Sequence, residues 1–252
     1  MVEYKAVSAW ETGRSHLAED RPCQDRVVHR QDRGVTCVVL ADGAGSCPNG
    51  QEGADCVTRL LAELLCREFA ELWDREEDAL RRELLERCLR ALEELDRPLP
   101  ELASTLLFFA GDRQGRYLAG HLGDGIQILV DPERPSARVF SAPENGSYQN
   151  ETYFTTSEDA LEHFRLYRGR LEEAGALLLM SDGMAESLYQ RSTGEPARAC
   201  ITMAGWLRDG EEEIISQALS QNMQRVFAEH SSDDLSLGLV TWETAAEEEK
   251  KG

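Results

Sequence analysis

Two amphipathic helical patterns lie next to each other in a chain whose other apolar segments look like strands. From residue 54 to 73 apolar side chains recur at three- and four-residue steps, and the same spacing resumes between residues 80 and 95. Pro98 and Pro100 would end the second helix. Because the helices are adjacent, and not placed one between each pair of strands, the pattern favours a layered α+β fold over a doubly wound sheet.

Strand-like segments surround these helices. The β-branched, apolar run Val35–Ala41 predicts a buried strand. Other strands are predicted at 105–110, 117–130, 176–180 and 235–241, and a third helix is predicted at 214–227. Residues 111–115 have the composition of a hairpin turn. The polar segment 141–175 has little periodicity, and a connection of that length is often functional.

Composition limits the class of protein and its ligands. The 252 residues suit one domain, predicted to span 1–244, with a charged tail at 245–252 that we expect to be disordered. There are 47 acidic and 27 basic residues, for a net charge of −20. So acidic a chain repels nucleic acid and anionic lipid, and we expect it to bind neither. The acidic excess serves either solubility or the binding of divalent cations.

The chain shows no signal for a membrane or for secretion. No segment approaches the roughly 20 apolar residues that span a bilayer, and the first residues lack the apolar core of a signal peptide. The seven cysteines are odd in number and contain no CxxC pair, which argues against a disulfide framework and a structural zinc site. We therefore expect a cytoplasmic protein, with Cys37, Cys66 and Cys88 as core residues.

Four acidic residues stand where an apolar strand meets a turn: Asp42, Asp124, Asp182 and Asp233. Any one of them alone is ordinary turn chemistry. Strands that end together would bring the set to one edge, where clustered carboxylates repel each other and raise their pKa values. Mg²⁺ or Mn²⁺, which prefer oxygen ligands, would relieve that repulsion. Two such ions can activate water and hold a transferring phosphoryl group.

In order along the chain, these motifs resemble those of the metal-dependent protein phosphatases, the type 2C or PPM family. The bacterial branch often begins with an element similar to Ser15-His16 followed by Cys23-Gln24-Asp25. The strand-end motifs then match in order: Asp42-Gly43-Ala44-Gly45, Gly123-Asp124-Gly125, Ser181-Asp182-Gly183-Met184-Ala185-Glu186, and Asp233-Asp234-Leu235-Ser236. Each motif is weak alone, but four in this order are specific, and the resemblance covers residues 7 to 241.

The resemblance implies a four-layer α-β-β-α sandwich of two antiparallel sheets flanked by helices, with the metals in a cleft at one end. It implies that Asp42 bridges two metal ions, that the Gly43 carbonyl ligates the second, and that Asp182 and Asp233 hold the first. It also implies a possible third ion, held by Asp124 and Glu186 with Asp182. Segment 141–175 matches the family's flap beside the cleft.

This sequence departs from the family at three places. Gln24 stands where many members have a glutamate ligand, so the second ion would be held less tightly, with Asp25 assisting. Ala44 replaces a histidine thought to protonate the leaving group. His16 is the nearest substitute, with a hydrogen-bonded structural residue as its other interpretation, and a metal-bound water could serve instead. The family's phosphate-binding arginine has no clear match, and the candidates are Arg14, Arg21 and Arg26.

The hypothesis from sequence is hydrolysis of phosphoserine and phosphothreonine in proteins by a water that bridges two divalent metals. Asp42 and Asp25 are the candidate catalytic residues. The substrate would be the phosphorylated product of a serine/threonine kinase, and the enzyme would be a monomer. The alternative is a catalytically impaired module that keeps the fold and binds a phosphoprotein or a metal as a sensor. A P-loop, a CxxxxxR motif and a GxSxG motif are all missing from the sequence.

Overall fold

Strands that are apolar on both faces have to be covered on both sides, and two such strands organise this protein. All seven residues of Val35–Ala41 are buried, as are all six of Gly175–Met180. In the computed structural model, which describes residues 1–145, 152–229 and 231–244, these two strands lie in different sheets. The sheets face each other, and helices cover their outer sides.

The strands, in chain order, are β1 (Val2–Glu11), β2 (Arg26–Asp32), β3 (Val35–Ala41), β4 (Leu106–Asp112), β5 (Arg116–Leu122), β6 (Ile126–Asp131), β7 (Ser136–Ser141), β8 (Arg165–Arg170), β9 (Gly175–Met180), β10 (Tyr189–Gln190), β11 (Glu195–Pro196) and β12 (Leu235–Thr244). The first sheet has the order β1-β12-β9-β6-β7 and the second β2-β3-β4-β5-β8. Neighbouring strands in both sheets are antiparallel. β10 and β11 form a separate hairpin.

The helices are α1 (Arg14–Ala18), α2 (Gly50–Asp74), α3 (Glu77–Glu93), α4 (Ala160–His163), α5 (Asp182–Leu188), α6 (Arg198–Asp209) and α7 (Glu212–Arg225). Apolar faces of α2 and α3 pack on the outer side of the second sheet. α6 and α7 pack on the outer side of the first sheet. A third apolar cluster, which includes Phe109 and Trp242, fills the space between the sheets. The result is a four-layer α-β-β-α sandwich, as predicted.

Strand pairing brings several chain ends to one end of the sandwich. In the second sheet Leu40 pairs with Leu107, and Leu106 pairs with Leu122, so β3 and β5 end on either side of the start of β4. In the first sheet Leu237 pairs with Met180, so the end of β9 lies beside the start of β12.

The sequence patterns located three of the seven helices that the described residues form and the most apolar strands, and one prediction was wrong. The two adjacent helices, the 111–115 hairpin and the strands at 176–180 and 235–241 are confirmed. The segment 117–130, however, forms two strands in different sheets, because β5 pairs with β4 whereas β6 pairs with β9. The segment proposed as a flap contains α4 and strand β8, which pairs with β5; its residues 146–151 and the tail at 245–252 lie outside the described residues.

Candidate active site

Acidic residues from both sheets meet at one end of the sandwich. Asp42 and Asp124 follow β3 and β5 of the second sheet, whereas Asp182 follows β9 and Asp233 precedes β12 of the first sheet. All four line one cleft of about 390 Å³, and Gly43 lines it as well. Five of the residues that the sequence suggested for metal binding therefore lie together.

Backbone hydrogen bonds fix the position of Asp42. Its N–H donates to the Thr105 hydroxyl at 2.9 Å, and the Thr105 N–H donates to the Asp42 carbonyl at 2.8 Å. The N–H of Ala44 donates to the Ala103 carbonyl at 2.9 Å. These bonds hold the turn after β3 against the start of β4, so the Asp42 carboxylate leaves the strand at a defined place.

A close contact brings Asp182 and Asp233 to the same wall of the cleft. The Gly183 N–H donates to Asp182 Oδ1 at 2.6 Å in the first turn of α5. A Cβ on Gly183 would lie 2.2 Å from the Asp234 carbonyl oxygen and 3.2 Å from the Asp233 Cβ. Only glycine allows the turn to pack this tightly against the segment that precedes β12.

Burial and mutual repulsion raise the pKa values of the cleft carboxyl groups. The pKa of Asp42 is raised well above its usual range, first by burial and then by Asp25 and the other cleft acids. Burial, followed by the charges of Asp124 and Asp233, raises the pKa of Asp182 to about 7. A divalent cation in the cleft would favour the ionised forms and displace their protons.

Asp25 is a further carboxylate of the site, buried beside Asp42. Arg26 of β2 pairs with Ala41 of β3, so Asp25 and Asp42 extend from paired strand ends. Asp25 is 1% exposed, and its Oδ2 has no hydrogen-bond partner among the described residues. Burial raises the pKa of Asp25 to about 7, and the hydroxyls of Ser181 and Ser236 oppose that rise. A buried carboxylate oxygen without a partner is costly unless it holds a proton or contacts a cation.

Gln24 does not line the cleft. Its side chain is buried and its Nε2 donates to the Cys47 carbonyl at 2.9 Å and to the Ala44 carbonyl at 3.5 Å. Its Oε1 accepts a hydrogen bond from Arg21 Nη2 at 3.1 Å. The Gln24 amide thus ties the turn after Asp42 to the N-terminal segment, and in this arrangement Asp25 is better placed beside Asp42 than Gln24 is.

The three candidate arginines bind backbone carbonyls around the cleft rather than line it. Arg14 Nε donates to the Ser231 carbonyl at 3.1 Å. Arg21 Nη2 donates to the carbonyl of Gly45, a cleft residue, at 3.0 Å. Arg26 Nη1 donates to the carbonyls of Cys23 and Asp25, and its guanidinium lies 5.0 Å from the Trp10 ring centroid. Of these carbonyls, only the one bound by Arg21 belongs to a residue that lines the cleft.

Glu186 lies one helical turn after Asp182 on α5, where its side chain is exposed. It is not among the residues that line the cleft. The structure thus brings Asp124 and Asp182 together and leaves Glu186 at the outside of their wall.

Two further cleft residues form a buried pair. His16 of α1 and Asp234 both line the cleft, and His16 Nδ1 lies 2.8 Å from Asp234 Oδ2. The sequence suggests His16 as a candidate, whereas its motif gives no separate role to Asp234, which follows the candidate metal ligand Asp233. The signal for Asp234 was its position directly before an apolar strand.

Arg191 lies near enough to Asp124 for its positive charge to lower the pKa of that carboxyl group, and no sequence pattern pointed to it. Burial raises the pKa of Asp124, and this rise is partly opposed by Thr152 and by the positive charge of Arg191. Arg191 lies between β10 and β11, a hairpin that directly follows α5. Only the fold brings this exposed arginine close to a strand end some 67 positions earlier in the chain.

The donor set fits hard divalent cations. Within the described residues, no three His, Cys, Asp or Glu side chains converge closely enough to hold an ion as they stand. Mg²⁺ does not require three protein side chains, because it keeps several water ligands and is commonly bound through one or two carboxylates. The unpartnered oxygen of Asp25 and the raised pKa values of Asp42 and Asp182 are the features that such an ion would relieve.

A profile of the family described as Protein phosphatase 2C matches residues 12–227. The chain belongs to this family. A curated relative, Serine/threonine-protein phosphatase 3 of Escherichia coli K12, is 24% identical over 257 residues, covering 96% of this chain and 99% of the relative. Family membership and this relative support phosphatase function.

Solved structures share the type 2C phosphatase fold with this chain. The S. agalactiae serine/threonine phosphatase has a TM-score of 0.65 at 15% identity, over 94% of this chain and 99% of that one. RsbX in complex with magnesium has a TM-score of 0.60 at 13% identity, over 96% and 99%. At these identities the likeness shows the fold alone. No helix in the described part of the chain is both long and apolar enough to cross a membrane.

Proposed function

We propose that this type 2C family member hydrolyses phosphoserine and phosphothreonine in proteins in a reaction that requires Mg²⁺ or Mn²⁺. The observation that carries the proposal is the convergence of Asp42, Asp124, Asp182 and Asp233 from four strand ends in one cleft. Two sheets supply these carboxylates, and no packing requirement of either sheet explains why they should be acidic.

Asp42 lies where two ions could share one carboxylate, since Asp25 flanks it on one side and the acids of the first sheet on the other. We assign one ion to Asp42, Asp182 and Asp233, and the second to Asp42, Asp25 and the Gly43 carbonyl. Asp124 with Asp182 is the candidate for a third, and Glu186 would join it only by reaching inward. Bound ions would supply positive charge that activates water and offsets the charge of the phosphoryl group.

The protein's own part is to hold the phosphoester in line with the attacking water. Asp42 and Asp25 are fixed by β-pairing and Asp182 by the first turn of α5, so the carboxylates need little reorganisation on substrate binding. Arg21 and Arg191, beside Gly45 and Asp124, are the candidates for contacts with phosphate oxygens. The substrate would be a phosphoprotein made by a serine/threonine kinase, and the enzyme would act as a monomer.

The test is hydrolysis of p-nitrophenyl phosphate and of a phosphoserine peptide by the purified protein. We expect no turnover in EDTA, and turnover on addition of Mn²⁺ or Mg²⁺. Asp42→Asn should lower the rate by on the order of 10³-fold, because electrostatic stabilisation of the transferring group is the main catalytic term. Asp74→Asn, at an exposed carboxylate near the far end of α2, is the control and should keep the wild-type rate.

Turnover that persists in EDTA, or a fully active Asp42→Asn variant, would contradict the metal-dependent assignment. Tight Mn²⁺ binding without hydrolysis of either substrate would instead favour the sensor alternative, with which the departures from the family pattern at Ala44 and Gln24 are consistent. Calorimetry on the same preparation measures that binding and separates the two outcomes.

A further inference from the structure

Cleavage of a phosphoserine ester releases an alkoxide, which is a poor leaving group unless it receives a proton. The carboxylates of the cleft would be ionised once cations are bound, and Ala44 offers no proton. A phosphatase built on this cleft therefore needs a proton donor of another type. His16 is the one imidazole that lines the cleft among the described residues.

His16 is held in the cleft wall rather than on the surface. It lies on α1, is 7% exposed, and lines the cleft together with Asp42 and Asp182. Its backbone is also fixed, because the Arg21 N–H donates to the His16 carbonyl at 2.9 Å. A side chain enclosed in this way loses little freedom when it takes part in a reaction.

Asp234 determines which nitrogen of His16 can act. Asp234 is 3% exposed and accepts hydrogen bonds from the Gly13 N–H at 2.7 Å and the Gln24 N–H at 2.6 Å. Its third bond, at 2.8 Å, is to His16 Nδ1. Because a carboxylate only accepts, Nδ1 must carry a hydrogen. Nε2 is then the free nitrogen, and no described residue lies within hydrogen-bond distance of it.

We propose that His16 Nε2 protonates the leaving oxygen of the phosphoester and that Asp234 is the positioning residue that orients the ring for this transfer. This inference rests on the proposed function. The oxygen of water forms a bond to phosphorus as the bond from phosphorus to the serine oxygen breaks. The electron pair of the broken bond goes to that oxygen, which takes the proton that Nε2 carries in the protonated ring and leaves a neutral imidazole with its hydrogen on Nδ1. The attacking water loses a proton to solvent, and the imidazole regains one from solvent, so the cycle balances.

The test compares esters whose leaving groups differ in their need for a proton. p-Nitrophenolate departs as a stable anion, whereas phenolate and the serine alkoxide are more basic. With Mn²⁺ present, His16→Gln should lower kcat on phenyl phosphate and on a phosphoserine peptide by about 10²-fold or more, the usual size of a general-acid effect. Its kcat on p-nitrophenyl phosphate should change little, and KM should change little for all three substrates.

Matched variants separate a chemical role from a structural one. Asp234→Asn should show the same substrate dependence with a smaller loss, since the ring remains but is less well oriented. His29→Gln, at an exposed histidine of β2 that bonds Ser8, should match the wild type on every substrate. His16→Gly with added imidazole should regain activity on phenyl phosphate, which keeps the proposal testable if the glutamine variant folds poorly.

Calorimetric titration with Mn²⁺ gives a readout that does not depend on activity. Equal affinities in wild type and His16→Gln are expected, and a lower affinity in the variant would identify His16 as a metal ligand and overturn the proposal. Equal losses on p-nitrophenyl and phenyl phosphate would also overturn it. The pair formed by His16 and Asp234 would then have only a structural role in the cleft wall. If the wild type hydrolyses neither ester with Mn²⁺, the proposed function itself fails and the inference with it.

Discussion

At the scale of single residues, Gln24 and Asp25 are neighbours in sequence with different surroundings. The Gln24 amide donates to the Cys47 carbonyl and accepts a hydrogen bond from Arg21. Asp25 lies beside Asp42, and one of its carboxylate oxygens has no hydrogen-bond partner among the described residues. From sequence, a charged residue at position 24 would strengthen metal binding. The contacts lead to a different expectation, since a carboxylate at that position would face carbonyl oxygens.

We predict that Gln24→Glu destabilises the fold by about 1–3 kcal/mol, the cost of leaving buried polar groups unpaired, without raising Mn²⁺ affinity. Asp25→Asn should lower that affinity by about tenfold or more, because it removes a charge next to Asp42. Calorimetry with Mn²⁺ and urea unfolding measure both effects. A tighter Mn²⁺ site in Gln24→Glu would show that Gln24 can turn inward and act as a ligand.

The acidic residues at strand ends could be predicted from sequence, because an acidic residue next to an apolar, strand-like run can be placed at the end of that strand. The pairing of Asp234 with His16 and the approach of Arg191 to Asp124 could not. They depend on which strands pair and on where the hairpin after α5 folds back, and neither is encoded in local spacing.

At the scale of elements, sequence periodicity located the helices and strands that have a continuous apolar face. It missed those in which polar and apolar residues are mixed. α2 and β3 were found because their buried faces are continuous. β7 has mostly exposed or partly buried residues, and β8 lies inside a polar segment, so neither was predicted as a strand. Gly123-Asp124-Gly125 marks a turn between β5 and β6, but the hydrophobic pattern does not show that the two strands join different sheets, because both are largely buried.

Glycines inside two helices provide a prediction at this scale. Replacing a helical glycine by alanine gains about 0.5–1 kcal/mol of stability where there is room. A Cβ added to Gly205 of α6 would meet no atom within 4 Å, so Gly205→Ala should be stabilising. A Cβ on Gly53 of α2 would lie 2.1 Å from the Leu102 carbonyl oxygen. Forcing α2 away should cost about 1–3 kcal/mol, which outweighs the gain, so Gly53→Ala should be destabilising.

Urea unfolding of the two alanine variants in the same buffer checks these opposite signs. A stabilised Gly53→Ala would mean that the contact between α2 and the segment before β4 relaxes freely. Because that segment continues into Thr105, which holds Asp42, we also expect Gly53→Ala to lower turnover, whereas Gly205→Ala should not.

At the scale of the whole molecule, the cleft exists only when both sheets are in place. The second sheet supplies Asp42 and Asp124, and the first supplies Asp182 and Asp233. The apolar layer between the sheets, with Phe109 stacked on Trp242 at 5.6 Å, sets their separation. Folding therefore brings mutually repelling carboxylates together, in a chain whose net charge is already −20.

Burial of these carboxylates, together with their mutual repulsion, predicts how stability depends on pH and metal. The pKa of Asp182 rises from its usual 3.8 to about 7 on folding, chiefly through burial. Between those values the folded chain binds a proton that the unfolded chain has lost, so stability falls as pH rises, by at most about 1.4 kcal/mol per pH unit for each such group. Burial lowers the pKa of His121 to about 3, which acts in the opposite sense, but only below its usual 6.5.

In EDTA, Asp182→Asn should therefore be more stable than the wild type at pH 8, and the difference should shrink as the pH is lowered toward 6. The asparagine oxygen can keep the bond from the Gly183 N–H, so the variant loses charge and little else. With Mn²⁺ at a hundred times its dissociation constant, the wild type should gain about 2.7 kcal/mol and the variant much less. Urea unfolding of both proteins at pH 6.5, 7.5 and 8.5, with and without Mn²⁺, measures these terms above the range where His121 contributes. If the metal-free variant were less stable than the wild type at pH 8.5, the ionised Asp182 side chain would stabilise the fold. The proposal that the clustered carboxylates destabilise the metal-free protein would then be wrong.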